Sequence, residues 1–332
     1  MYVLFLLGLY LCMFLQIFIH EAGHLVFGLM TGYRFSSFRL GSFMLLKKDG
    51  KLHFKRLSLA GTGGQCLMIP PDWNDGRFPF VLYNLGGVLF NLLSGMLAFA
   101  LLPLFPAYSV PETLLWLFAL IGLAFALLNG VPLRMGLIDN DGANAVSMGK
   151  NTAALRAFYK QFKINESTAR GIRLKDMPDE WFYSTAPDAL ENSMTAALRV
   201  CACNRLLDMG RFAQARAAIE SCLQDGRAIG GLHRALLTCD LLCCLLLEGA
   251  PAQEIERLLT PQQKKIMKSM RRFPSVLRTQ YVYALLLEKD AHKADAIRAQ
   301  FEKCAVRYPY ESDIQSEREL MARAQAASAS YK

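Results

Sequence analysis

The sequence predicts a mainly α-helical chain in two parts: a polytopic membrane domain of three apolar helices and a β-hairpin over residues 1–149, then a soluble α-helical repeat domain over 150–332. Three observations predict it. Apolar stretches at about 2–31, 80–104 and 112–133 are each long enough to cross hydrocarbon. Charge is unevenly divided, with 9 of the 37 Lys+Arg and 7 of the 28 Asp+Glu in residues 1–149, so most of the net charge of +9 falls in the second part. Finally, Leu-Leu-x-x-Gly210, Leu-Leu-Glu-Gly249 and Leu-Leu-Glu-Lys289 recur 39 and 40 residues apart, the spacing of stacked helix pairs.

The first apolar stretch has no basic leader of the kind that precedes a cleaved signal, so it reads as a permanent anchor ending at Gly32. Arg34 to Leu59 holds two β-favouring runs around Lys47-Lys48-Asp49-Gly50-Lys51, and Asp49-Gly50 is a strong turn signal, so the runs are expected to form a hairpin against the membrane. Gly61 to Pro71 reads as an irregular loop. The second stretch carries Gly86-Gly87-x-x-x-Asn91 and Ser94-Gly95, small residues that allow close helix approach, with an Asn that needs a partner or meets substrate. The third breaks near Asn129-Gly130-Val131-Pro132.

Between the first two stretches lie eight basic residues (Arg34, Arg39, Lys47, Lys48, Lys51, Lys55, Arg56, Arg77), and the segment from Phe105 to Pro111 has none. The positive-inside rule then puts the N-terminus outside and the hairpin and second domain in the cytosol. Nine Cys, an odd number without a disulfide-scaffold pattern, fit small apolar residues in a reducing compartment. Cys239 and Cys243 with His233 are a weak metal pattern for which helix packing suffices. The basic balance comes without aromatic-basic interleaving, which argues against nucleic acid as a partner. The stripe Lys264-Lys265-x-x-Lys268-x-x-Arg271-Arg272 reads as a solvated face or one that meets anionic lipid.

The chemistry concentrates in His20-Glu21-Ala22-Gly23-His24, inside the first apolar stretch. His residues four apart share a helix face and can hold one metal ion, with Glu21 beside it to take a proton from activated water. Polar groups at membrane depth are costly and mark function. A catalytic zinc site wants a third protein ligand; Asp141, followed by Gly142, is the first choice and Asp139 the alternative, with His53 a further imidazole better explained as a surface residue.

H-E-x-x-H in the first helix, a hairpin, Gly-x-x-x-Asn in the second helix, then Asn-x-x-Pro and Asp-Gly at the third resemble the site-2 protease family of intramembrane zinc metalloproteases over residues 1–149. The resemblance implies one zinc ion held by His20, His24 and Asp141, with Glu21 as general base. It implies a three-helix metalloprotease core in a bacterial cytoplasmic membrane, cleaving peptide bonds in or near the transmembrane helices of membrane protein substrates. The interval from Asn129 to Asp141 is longer than the family's, and Asn140 stands where the family has Leu. The second half resembles tetratricopeptide repeats, whose helical surface suits a protein partner. The competing expectation is a catalytically idle membrane anchor that recruits a cytosolic partner through those repeats.

Overall fold

The computed structural model describes residues 2–59, 62–73, 78–135, 138–149, 151–183, 192–225 and 228–330. In chain order these form α1 (Tyr2–Met30), β1 (Arg34–Leu40), β2 (Phe43–Lys48), β3 (Lys51–Arg56), β4 (Gly64–Ile69), α2 (Val81–Leu101), α3 (Val110–Gly130), β5 (Arg134–Met135), β6 (Ile138–Asp139) and α4 (Asp141–Gly149). Nine further helices follow: α5 (Thr152–Ala169), α6 (Ser193–Asp208), α7 (Phe212–Asp225), α8 (Gly231–Leu247), α9 (Ala252–Leu258), α10 (Pro261–Ser269), α11 (Pro274–Val282), α12 (Ala291–Ala305) and α13 (Glu311–Ser330). The chain divides into two compact units, one of residues 1–41 and 62–152, the other of residues 42–61 and 153–332.

In the first unit, α1, α2 and α3 pack on one another, and each is long and apolar enough to cross a membrane. Their outward faces expose Leu6, Leu7, Tyr10, Leu11, Leu93 and Leu97, large apolar side chains that water would penalise. Inward, the helices meet through small residues. A Cβ on Gly23 or on Gly86 would overlap the other glycine's carbonyl, so α1 and α2 touch backbone to backbone. Helix α1 ends because Gly32 takes φ 86° and Tyr33 N–H returns to Gly28 O at 2.9 Å, closing the last carbonyls. Helix α3 starts at Ser109, which caps Glu112 N–H, and stops at Gly130 rather than near 133. Pro132 keeps Val131 extended, which shortens the expected span.

The strands depart from the expected hairpin of 34–59. Asp49 and Gly50 both take positive φ, as a two-residue hairpin turn demands, but the turn joins β2 to β3, with Phe43 opposite Arg56 and Lys48 opposite Lys51. Strand β1 pairs antiparallel with β4, from Arg34 opposite Ile69 to Leu40 opposite Gly64. The stretch read as an irregular loop therefore supplies a strand, which satisfies the backbone groups along one edge of β1. Of that stretch Gly61 lies outside the described residues, as does Arg77 of the basic loop. Arg39 is buried, donating to Gly41 O, Thr62 Oγ1 and Gly64 O, so this cation ties β1 to β4.

The β2–β3 hairpin belongs to the second unit, contrary to the expected boundary at 149. Met44, Leu46 and Leu57 join the helical core, Arg56 N–H donates to Arg307 O at 2.9 Å, and Lys48 pairs with Glu311 at 3.5 Å. Its other face exposes Phe43, Leu52 and Phe54, with His53 also exposed. In the helices of this unit the recurrent join is a real geometry: Gly210, Gly249 and Lys289 all take positive φ at the ends of α6, α8 and the turn after α11. At the first two the next residue's N–H reaches back over the left-handed position, Arg211 to Leu206 O and Ala250 to Leu245 O. Helices α6 to α8, α11 and α12 pack successively in chain order. Cys239 and Cys243 are buried in this core while His233 is exposed, so they form packing and not a ligand set.

Candidate metal centre

Helix α1 carries its polar residues on one stripe. Gln16, His20 and His24 are spaced by four and all are buried, so the stripe faces α2 and α3. Helix α2 faces it with Tyr83, Gly87 and Asn91. A Cβ on Gly87 would come within 2.6 Å of three atoms of the His20 ring, so only glycine leaves room for the imidazole.

Both imidazoles are oriented through Nδ1. His24 Nδ1 lies 2.7 Å from the Tyr83 carbonyl, and His20 Nδ1 lies 2.7 Å from Asn91 Oδ1. The first acceptor is a main-chain oxygen; the second is identified by its own amide, because Asn91 Nδ2 points at the Gln16 carbonyl, which can only accept. In its neutral form each ring therefore keeps its proton on Nδ1 and turns a bare Nε2 inward, the arrangement that metal-ligating imidazoles use.

Asp141, the first residue of α4, completes the group. Its Oδ2 lies 3.0 Å from His20 Nε2 and 3.5 Å from His24 Nε2, and the two Nε2 atoms are 3.2 Å apart. With both imidazole protons committed elsewhere, Oδ2 is a buried oxygen without a hydrogen-bond donor. With both imidazoles neutral, three lone pairs converge here with no proton between them, an arrangement that a cation satisfies. The spacing fits: zinc bonds of 2.0–2.1 Å in a tetrahedron set neighbouring ligand atoms about 3.3 Å apart. Among the described residues, the only set of three or more His, Cys, Asp or Glu groups close enough to share a metal ion is His20, His24 and Asp141. Asp139 is not in it; it lies on β6, where it pairs with Arg134 across a two-residue ladder.

Asn140 explains how Asp141 is delivered. Its Oδ1 accepts from Leu133 N–H at 3.1 Å and Ala143 N–H at 2.8 Å, while Nδ2 donates to Leu128 O and Val131 O, both at 2.6 Å. One buried side chain thus caps α4 and closes the end of α3. Gly142 fits beneath: a Cβ there would overlap the Gly130 carbonyl. A Leu at 140 could make none of these bonds, so the extra residues after Asn129 and the Asn itself belong to one local solution.

Glu21 is also buried, on the α1 flank that meets β4, where a Cβ on Gly64 would come within 2.8 Å of its Cγ and Cδ. The strand backbone thus runs directly along this carboxylate. His53 is on the exposed hairpin of the other unit and is not among the ligands.

Gln16 and Tyr83 are absent from the motif-based reading. Gln16 carried a signal: a polar residue four before His20 in an otherwise apolar helix must face the same way. Tyr83 acts through its carbonyl, which no side-chain pattern encodes. Comparison of the chain with family models, with curated proteins and with solved structures returns no match.

Proposed function

We propose that the chain is an intramembrane zinc metalloendopeptidase of the site-2 protease kind, hydrolysing peptide bonds in or near transmembrane segments of membrane protein substrates. One observation carries the reading: Asp141 of α4 converges with His20 and His24, which share with Glu21 a helix apolar enough to cross a bilayer, and the buried Glu21 carboxylate feels all three groups. Two neutral imidazoles and one carboxylate are a catalytic zinc donor set that leaves a position for an outside ligand. When bound, zinc supplies Lewis-acid polarisation of water and of a peptide carbonyl. Glu21 takes the proton from the attacking water and passes it to the leaving amine nitrogen. The helices keep bulk water away, and His20 sits about 15 Å of helix from the end of its span, at 1.5 Å per residue. A metal with only a structural role needs no such base.

A substrate helix must unwind first, since its carbonyls are engaged in helical hydrogen bonds. Strand β4, which passes Glu21 at Gly64, is the strand positioned to guide the unwound segment by backbone pairing. Basic residues between α1 and α2 orient the chain with its N-terminus outside and the helical unit in the cytosol, where tetratricopeptide-like helix pairs receive a protein partner.

The test compares new protein termini in membranes from cells making the wild-type chain or Glu21→Gln at matched expression and matched metal content. Termini inside predicted membrane helices, present only with Glu21, are expected. Identical profiles from zinc-loaded preparations would instead support an idle anchor.

A further inference from the structure

We propose that Gln16 is a positioning residue of the metal centre, fixing the His20 tautomer through a directed hydrogen-bond relay that crosses all three apolar helices. The inference rests on the metal-binding part of the reading above and is independent of proteolysis.

The relay starts at an atom whose role is unambiguous. Phe118 O, a main-chain carbonyl of α3, can only accept, and Gln16 Nε2 lies 3.1 Å from it. The Gln16 amide is thereby oriented with Oε1 toward α2, where Asn91 Nδ2 donates to it at 2.7 Å and Ser94 Oγ at 3.3 Å. The second hydrogen of Asn91 Nδ2 goes to the Gln16 carbonyl at 2.8 Å. With both amide hydrogens spent on Gln16, Asn91 presents Oδ1 to His20, at 2.7 Å from Nδ1. In its neutral form His20 then holds its proton on Nδ1, which leaves Nε2 bare for the ion. Direction is transmitted from the Phe118 carbonyl through the Gln16 amide to Asn91, whose orientation the Gln16 main-chain carbonyl holds in the same sense.

Burial makes the relay consequential. Gln16 and Asn91 are both 0 % exposed, so no water substitutes for a lost partner. The fold also makes room for it: a Cβ on Gly122 of α3 would lie 2.6 Å from Gln16 Nε2 and 2.9 Å from Asn91 O. A glutamine kept only for packing would not need a glycine opposite its amide and a carbonyl at hydrogen-bond distance.

The experiment uses the full chain in detergent, stripped of metal and titrated with zinc against a competing chelator. Gln16→Met keeps the size and removes the three side-chain hydrogen bonds to Phe118, Asn91 and Ser94, and it is expected to weaken zinc binding about 10-fold, in the range that outer partners of ligating histidines command. Asn91→Leu should weaken it as much or more. Because Gln16 acts through Asn91, the double variant should bind no more weakly than Asn91→Leu alone, which a general loosening of the helices would not produce. Wild-type affinity in Gln16→Met, or losses that multiply in the double variant, would overturn the proposal. A second measurement needs no variant of Gln16: ¹⁵N spectra of the metal-free wild-type chain at pH 8, with the His20 signal assigned by its loss in His20→Ala. The Nδ1-protonated tautomer supports the relay; the Nε2-protonated one refutes it. If the wild-type chain takes up no zinc, the metal reading itself fails, whereas unchanged uptake in Gln16→Met sinks only the relay.

Discussion

Replacing Asn140 by Leu, the residue that the site-2 protease pattern has here, should dismantle the delivery of Asp141 while leaving the three long helices in place. The side chain serves four backbone groups, at Leu128, Val131, Leu133 and Ala143. Loss of the helix cap at Ala143 costs about 1 kcal/mol. Losing the part-buried bond from Leu133 N–H and weakening each of the two carbonyl bonds costs about 0.5–1.5 kcal/mol apiece. The apolar area of Leu returns about 1 kcal/mol of this, since the site has little room for it to pack. The net is about 3 kcal/mol, confined to residues 128–145. At about 1.4 kcal/mol per tenfold, the amides of Leu133 and Ala143 should exchange with deuterium about 100-fold faster than in the wild-type chain. Zinc uptake should fall with them, because Asp141 follows Asn140 directly. Asn140→Asp, which keeps both accepted bonds and loses both donated ones, should lie between. Exchange within threefold of wild type, together with unchanged zinc affinity, would refute the assignment of Asn140 as the clasp between α3 and α4.

Three other perturbations probe separate parts of the chain. Gly87→Ala places a methyl within 2.6 Å of the His20 ring, so zinc content of the purified protein should drop below half while helicity by circular dichroism is kept; full zinc occupancy would show that the helices can separate freely. Arg278 is fully buried in the helical unit and pairs with Asp240 and Glu317, so Arg278→Met strands two carboxylates at a cost of about 3–5 kcal/mol. Thermal unfolding should shift down by about 10 °C, and a shift under 3 °C would contradict the burial. Burial, then the neighbouring Glu317, push the Asp313 carboxyl up to about 7, above its ordinary value near 4. Between those values the folded chain holds a proton that the unfolded chain releases, so this group's stabilisation is present below pH 4 and lost as the pH rises towards 7. Asp313→Asn should flatten that decline and raise stability at pH 8 by about 1–2 kcal/mol, read from unfolding midpoints across the pH range; an unchanged pH profile would show the carboxyl to be solvated.

Sequence by itself determined the three apolar helices, because length and composition alone decide whether a segment can cross hydrocarbon. It also located His20, Glu21 and His24 relative to one another, since four residues of helix fix that geometry locally. The recurrence at Gly210, Gly249 and Lys289 was legible for the same reason: a left-handed helix end is a local event. Tertiary structure decided everything that depends on partners distant in sequence. Only the assembled chain pairs strand β1 with Gly64–Ile69 and sends the β2–β3 hairpin to the helical unit. Asp141 and Asp139 are two residues apart and chemically alike; four backbone groups reaching Asn140 choose between them. The bare Nε2 atoms depend on a carbonyl of residue 83, an amide at 91 and, behind it, Gln16 anchored to residue 118. Such contacts join α1 to residues 59 to 102 positions away, where sequence pattern carries no distance information, and the site's electrostatics exist only once the helices have met.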